Sequence, residues 1–425
     1  SQPMIGLIEF PSGNKPITNN GISERTVSLL LLGLYLLCAL IKMRGFWRTG
    51  RFWAEEGKVF YSQLLELPWY DAIVFQYNGH LEFSTNAIVY LSTLTPLFFA
   101  PLVTTYLSLG VQELPIALII CYRNHLKISP IVLSIFLLII TGMPQSIEIH
   151  ANSINLHFHY TVLALVILLL SDLNGPIKHG LRFMLLVAGL SGIPPNFLVI
   201  VFVLKALMQR DRESIVHGAI MLLTCSVQIS LLLQSDSVMD NREFEFKPVL
   251  TVFASVSQQI LAPMFHATIA QSIANRMRFV YENYWLALFS ATVVLVVFSI
   301  FYQRFKSALS SNTNWCFLAC LVIVVLSIST SLGVKTESIS GGFANGRYFY
   351  APNVCLYLAL AILVSQRFDR YLMGLMIVAC CSSLIVGVRS TSEGLDWAES
   401  YNKAKARKTE LIEIWPRGWA MRSGF

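Results

Sequence analysis

Charge is what this chain has least of. Only 13% of its 425 residues are charged, against 55% hydrophobic, and that balance cannot cover the surface of a water-soluble domain of this length. It also lacks cysteines arranged for metal or for disulfides. Cys38, Cys121, Cys225, Cys316, Cys320, Cys355, Cys380 and Cys381 all fall in or beside apolar runs, so they are expected to pack as small hydrophobes. No internal repeat is visible, which argues against the doubled architecture common in transporters. The first 26 residues are polar and the apolar run behind them is of spanning length, so no cleavable signal peptide is expected.

What is present is a series of apolar blocks. They lie near residues 27–43, 97–121, 130–142, 159–171, 181–193, 196–208, 215–233, 283–302, 315–333, 350–366 and 370–388. The expected fold class is all-α, a polytopic transmembrane helical protein of about eleven spans with loop helices outside the membrane. Residues 81–96 are open to two readings, an interfacial helix or a further span.

Short basic loops carry Arg123 and Lys127, Lys178 and Arg182, Lys205 with Arg210 and Arg212, Arg304 and Lys306, and Arg367 and Arg370. Such loops favour the cytoplasm. The expected organisation is then a cytoplasmic segment 1–26, a membrane domain 27–388 with external loops 44–96 and 234–282, and an external tail 389–425. Lys42, Arg44, Arg48 and Arg51 break the charge rule by following the first span on the outer side, and misplaced charge in a membrane protein points to a function.

Three expected outer segments carry chemistry. "RTGRFWAEEGKVFY" holds Glu55, Glu56 and Lys58, and "YNGHLEF" adds His80 and Glu82. "MPQSIEIHANSINLHFHY" holds Glu148, His150, Asn152, Asn155, His157 and His159. "SGGFANGRYFYAPN" sets Arg347 and Tyr348 among glycines, where backbone can approach a ligand and an arginine can grip a phosphate with two hydrogen bonds. The glutamates also read as interfacial ion pairs, Arg347 as an interfacial anchor, and "PPNF" at Pro194–Phe197 as a hairpin turn. The histidine spacing does not fit a tetrahedral zinc site.

These motifs resemble a family. "RFWAEEGKVFY", "APLVTTYLSL", "SIEIHANSINLHFHY", "LSGIPPNF", "GRYFYAP" and "WPRGWAM", in order along nearly the whole chain, look like polytopic glycosyltransferases of the GT-C fold, and more narrowly like a bacterial group with a W-A-E-D/E-G opening. The resemblance implies transfer of a sugar from a polyprenyl-phosphate carrier to an acceptor glycan, such as O-antigen or another cell-surface polysaccharide, or to a lipid, on the periplasmic face of a bacterial inner membrane. Glu56, or its neighbour Glu55, is the expected base; if Glu56 is the base, Glu55 is expected to orient the site or help hold a metal ion. Arg44, Arg48, Arg51, Lys58 and Arg347 are the expected cations for the phosphate. His80, Glu82, Glu148, His150, Asn152, Asn155 and Tyr348 complete the expected substrate-binding set. No metal ligand is assigned, although a divalent cation is left open as cofactor, and the lipid bilayer but no nucleic acid is an expected partner. The rival readings are a lipid-linked oligosaccharide ligase or polymerase, a flippase or transporter of lipid-linked sugars, and a non-enzymatic membrane scaffold.

Overall fold

A computed structural model describes residues 23–173, 175–235, 248–265, 311–330, 343–389 and 395–423, with scattered positions between 272 and 303. The expected span at 283–302 lies outside these continuous stretches. Ser23 opens the first helix, α1 (Glu24–Lys42), by accepting a hydrogen bond from the Thr26 amide. Then come α2 (Phe83–Thr93), α3 (Ala100–Cys121), α4 (Pro130–Gly142), α5 (Leu156–Leu169), α6 (Ile177–Leu190), α7 (Val199–Gln209) and α8 (Arg212–Leu233). Helices α9 (Pro248–Ser255), α10 (Ser311–Ser329), α11 (Tyr350–Gln366), α12 (Arg370–Arg389) and α13 (Trp397–Arg407) complete the described α-helices of eight residues or more.

Among the described residues, five helices are long and apolar enough to cross a membrane: Glu24–Lys42, Ala100–Cys121, Arg212–Leu233, Ser311–Ser329 and Gly346–Gln366. The others explain why apolar runs alone suggest more. Helices α4 and α5 have 13 and 14 residues, about 20 Å at 1.5 Å per residue, against a hydrocarbon core of about 30 Å. Residues 81–96 contain only the 11-residue α2, too short to span. Helix α5 is nonetheless buried at every position from Phe158 to Leu169, so it sits in the middle of the bundle rather than against lipid.

The shortness of α4 and α5 has a physical cause. The chain between them, residues 143–155, does not rise to the rim but stays sunk among the helices. Gln112, half-way along α3, donates to the carbonyls of Ile149 (3.0 Å) and Asn152 (3.4 Å) and accepts from the Ala151 amide (2.9 Å). Irregular backbone survives at such depth only when protein satisfies it. Asn152 and Asn155 do the rest, both donating to the Glu148 carbonyl at 2.7 and 3.1 Å.

The ends of the helices sort into two poles. At one, Arg123 pairs with Glu24, His125 lies 2.9 Å from Asp172, and Arg182 bonds Glu213. This is the pole of the short basic loops. The opposite pole carries residues 42–82, the sunken segment 143–155, and residues 343–350.

That second pole has a small core of its own, built from Phe52, Phe60, Tyr61, Leu64, Trp397, Ile412, Ile414 and Met421. The chain is mostly helical, as expected, with two short antiparallel ribbons added here: β1 (Gln76–Tyr77) with β2 (His80–Leu81), and β3 (Leu411–Ile414) with β4 (Trp419–Arg422). The first turns at Asn78–Gly79, both with positive φ, as short hairpins require. The second folds the tail back over the opening loop: Ala54 donates to the Trp415 carbonyl, Trp415 donates to Phe52 O at 3.1 Å, and the Trp53 and Trp415 rings stack at 5.9 Å.

Candidate functional site

A cavity of about 140 Å³ opens at the second pole, and residues from five distant stretches line it: Glu55 and Phe60, Tyr77 to Glu82, Ile154 to Phe158, Ile193 and Pro194, and Arg347 with Tyr348. Of the expected site residues, Glu55, His80, Glu82, Asn155, Arg347 and Tyr348 meet there.

Glu82 forms the polar floor. Its side chain is 5% exposed, and Oε1 lies 3.0 Å from His80 Nε2 and 3.2 Å from His157 Nδ1. Burial pushes the Glu82 carboxyl up, but His157 and then His80 outweigh it, and the group ends below its ordinary value. Gly192 makes this arrangement possible. With φ +113, it approaches so closely that a Cβ there would lie 2.8 Å from His157 Cβ and 3.0 Å from Glu82 Oε1.

On the other side, Arg347 Nη1 sits 3.5 Å from Glu148 Oε2, and the guanidinium lies 5.5 Å from the Tyr348 ring. Tyr348 in turn meets Phe158 edge-on at 5.7 Å. Burial pushes the Glu148 carboxyl up to about 7; Arg347 pulls it down, and the neighbouring Glu55 raises it further. A group poised there changes its proton near neutral pH.

Glu55 and Glu56 part company. Glu55 is half-buried and faces the cavity, whereas Glu56 is fully buried away from it. The Glu56 carboxylate accepts from the Trp53 amide at 3.0 Å, the Ser153 amide at 2.8 Å and Ser153 Oγ at 2.5 Å. Its task is to pin the opening loop to the sunken segment, and this closure is at odds with its expected role as base. Burial pushes its carboxyl up despite these donors.

Other expected residues also lie elsewhere. Arg44, Arg48 and Lys58 are exposed and do not line the cavity; Arg48 covers the Trp47 ring at 4.8 Å and Lys58 approaches the Trp419 ring at 5.2 Å. Arg51 is sealed in, donating from Nη2 to the His150 carbonyl at 2.8 Å, with Phe46, Trp53 and Trp415 rings 3.9, 4.7 and 5.1 Å away. Burial lowers its pKa to about 9, above neutrality, so it stays charged. Asn152 is spent on the backbone of its own segment. His150 faces Arg51, and burial holds its imidazole well below the ordinary value.

His157 and Tyr77 line the cavity but are absent from the expected set. His157 stands in the first turn of α5 and packs on Phe158 at 4.3 Å, while His159, two residues on, turns to Tyr350 inside the bundle. The repeated histidines of "HFHY" were the signal, and helical phase separates them. Among the described residues no group of three His, Cys, Asp or Glu side chains is placed to hold a metal ion.

The cavity therefore combines a carboxylate open to a ligand, a histidine-held carboxylate, and an arginine beside a second acid, at the edge of an apolar bundle. Compared with known proteins, the chain matches no family model, no curated protein and no solved structure.

Proposed function

We propose that this protein is a membrane glycosyltransferase of GT-C type, moving a sugar from a polyprenyl-phosphate carrier to a hydroxyl of an acceptor glycan or lipid at the second pole, and that this pole faces the periplasm of a bacterial inner membrane. The observation that carries the reading is the meeting of Glu55 and Arg347 across one cavity at the rim of the apolar helices. The reaction needs a base for the acceptor and positive charge for the departing phosphate.

Glu55 takes the proton of the acceptor hydroxyl as its oxygen attacks the anomeric carbon. The bond from that carbon to the phosphate oxygen breaks, and the lipid phosphate leaves with the electron pair towards Arg347. Glu148 holds Arg347 in place and, protonated near neutral pH, spares the phosphate a second negative charge. Glu82, fixed between His80 and His157, offers an acceptor surface for sugar hydroxyls. Glu56 supports the site from behind and does not touch substrate.

Purified protein in nanodiscs, supplied with polyprenyl-phosphate sugar, tests this directly. Transfer should be measurable, Arg347→Lys should weaken donor binding about tenfold by losing the two-pronged grip, and Glu55→Gln should bind donor without transferring. Failure of any lipid-phosphate sugar to bind the wild type would end the reading.

One observation favours a carrier of lipid-linked sugars as a second reading. Glu113, inside α3, has both carboxylate oxygens buried without a hydrogen-bond partner among the described residues, and acids within the membrane are a hallmark of transport. Glu113→Gln should leave transfer intact; abolished lipid flipping in the same variant would favour the carrier.

A further inference from the structure

Behind the sunken segment lies a second, smaller pocket of about 30 Å³, lined by Lys42, Phe46, Arg51, Trp53, Ile147, His150 and Trp415. Its cations are unusual in lacking a carboxylate of their own. Among the described residues neither Lys42 nor Arg51 forms an ion pair with an acid, and the nearby Glu56 already accepts from three donors. All three protons of Lys42 are committed, to Thr141 O at 2.9 Å, Ser146 O at 3.0 Å and Ser146 Oγ at 2.5 Å. Two nitrogens in the lining have no partner among the described residues: Arg51 Nε, a donor, and His150 Nε2, a donor in the tautomer that carries its proton there, on residues 4% and 5% exposed.

An unpaired buried donor is costly, and uncompensated buried charge costs more. When Lys42 is protonated, Lys42, Arg51 and an ionised Glu56 together leave one positive charge in excess, beside a space that admits a particle about the size of a water or a halide. We infer that this pocket is a resident site for one small monovalent anion of the chloride class, held by Arg51 Nε and His150 Nε2 in the field of Lys42. A neutral water would satisfy the donors and leave the charge. A phosphate group, with five heavy atoms, exceeds the space.

The anion would have an architectural task. It joins the end of α1, the opening loop, the sunken segment and the tail, since Lys42, Arg51, His150 and Trp415 each come from a different one of these. It therefore holds the back wall of the cavity in which Glu55 stands, without taking part in that cavity's chemistry.

The test needs only purified full-length protein in detergent, with chloride exchanged for gluconate at constant ionic strength and thermal unfolding followed as halide is titrated back. Chloride and bromide should raise the midpoint saturably, as ligands of the folded state do, while gluconate and sulfate should not. In a crystal grown with bromide, anomalous density should lie between Arg51 and His150. Arg51→Met should abolish the halide dependence. Because that variant removes a buried cation with its Arg51–His150 hydrogen bond, His150→Phe is the second arm: it keeps much of the ring volume, removes the ring nitrogens, and should weaken the apparent halide affinity about tenfold. Equal midpoints in chloride and gluconate would mean that an ordinary water fills the pocket and would overturn the inference. So would wild-type halide affinity in His150→Phe, or stabilisation by inorganic phosphate in place of halide. No sugar transfer is measured, so this inference and the glycosyltransferase reading stand or fall separately.

Discussion

On one side of the sunken segment 143–155, Lys42, Arg51 and Glu56 are buried and, apart from the Arg51 Nε, held by hydrogen bonds to backbone and serine. On the other, Glu55 and Arg347 line a cavity, and half-buried Glu148 lies 3.5 Å from Arg347, a longer contact than those of the first side. The same residue types serve as fasteners on the first side and remain available for chemistry on the second. Charge in an unexpected place thus has two physical uses in this molecule, and only hydrogen-bond accounting tells them apart.

The contrast is broken most severely at the adjacent glutamates. Glu55→Gln should lower transfer by about 10²- to 10⁴-fold, the usual cost of a lost general base, while the unfolding midpoint stays near wild type. Circular-dichroism melts beside a transfer assay would check both halves, and normal turnover would remove Glu55 from the chemistry. Glu56→Ala should do the reverse. It leaves the Trp53 and Ser153 amides without their acceptor, at about 1–3 kcal/mol for each buried donor left unpaired. A lowered midpoint with turnover preserved in the surviving folded fraction would sharpen the comparison, whereas an unchanged midpoint would refute the fastener role.

A smaller effect is expected from Glu148. Its carboxyl stands at about 7 in the folded chain against an ordinary 4.5, so the folded state binds the proton more tightly than the unfolded one. The resulting stability is fully present below pH 4.5 and is lost as pH rises through 7. Glu148→Gln should therefore flatten the pH dependence of the midpoint in that window. Glu55→Gln should shift the Glu148 titration downward, because Glu55 raises it, and an infrared carboxyl titration would follow that shift. A further change is Gly192→Ala, which puts a Cβ 2.8 Å from His157 Cβ and 3.0 Å from Glu82 Oε1 at φ +113, a backbone strained for alanine, so the Glu82–His157 contact must shift. A several-fold rise in acceptor KM with little change in kcat is the expected result, and unaltered kinetics would show that His157 does not shape the cavity.

Much of this architecture was legible in the chain. The apolar runs mark the helices to within a few residues, as 130–142 and 350–366 illustrate, and the outer segments with Glu55, Glu82 and Arg347 do converge. What could not be read was phase and depth. The opening turn begins with Ala54 at φ +41 and continues as a π-helix over Glu56–Tyr61, so no regular periodicity says which glutamate faces inward. That turn is set in part by Trp415, and a contact so remote in sequence leaves no local trace. The sinking of residues 143–155 had one trace, Gln112 inside an apolar run, whose partners only the folded chain reveals. The number of spans is hard to read for the same reason: apolar runs record burial, and α5 is buried by protein, while five helices among the described residues are long and apolar enough to cross a membrane.

The sunken segment has an electrical consequence. In a polarised membrane the potential falls across the low-dielectric layer, and a water-accessible site set below the rim lies part-way down that fall. Carrying one elementary charge across the whole layer is worth about 2.3 kcal/mol per 100 mV, so an anionic headgroup drawn into the cavity does a fraction of that work. On the proposed reading, with the second pole facing outward and the interior negative, occupancy by the donor phosphate would depend on membrane voltage, a more polarised membrane opposing its entry and favouring its departure. Vesicles holding the protein in one orientation, with voltage set by a potassium gradient and valinomycin, should show donor affinity weakening as the interior is made more negative.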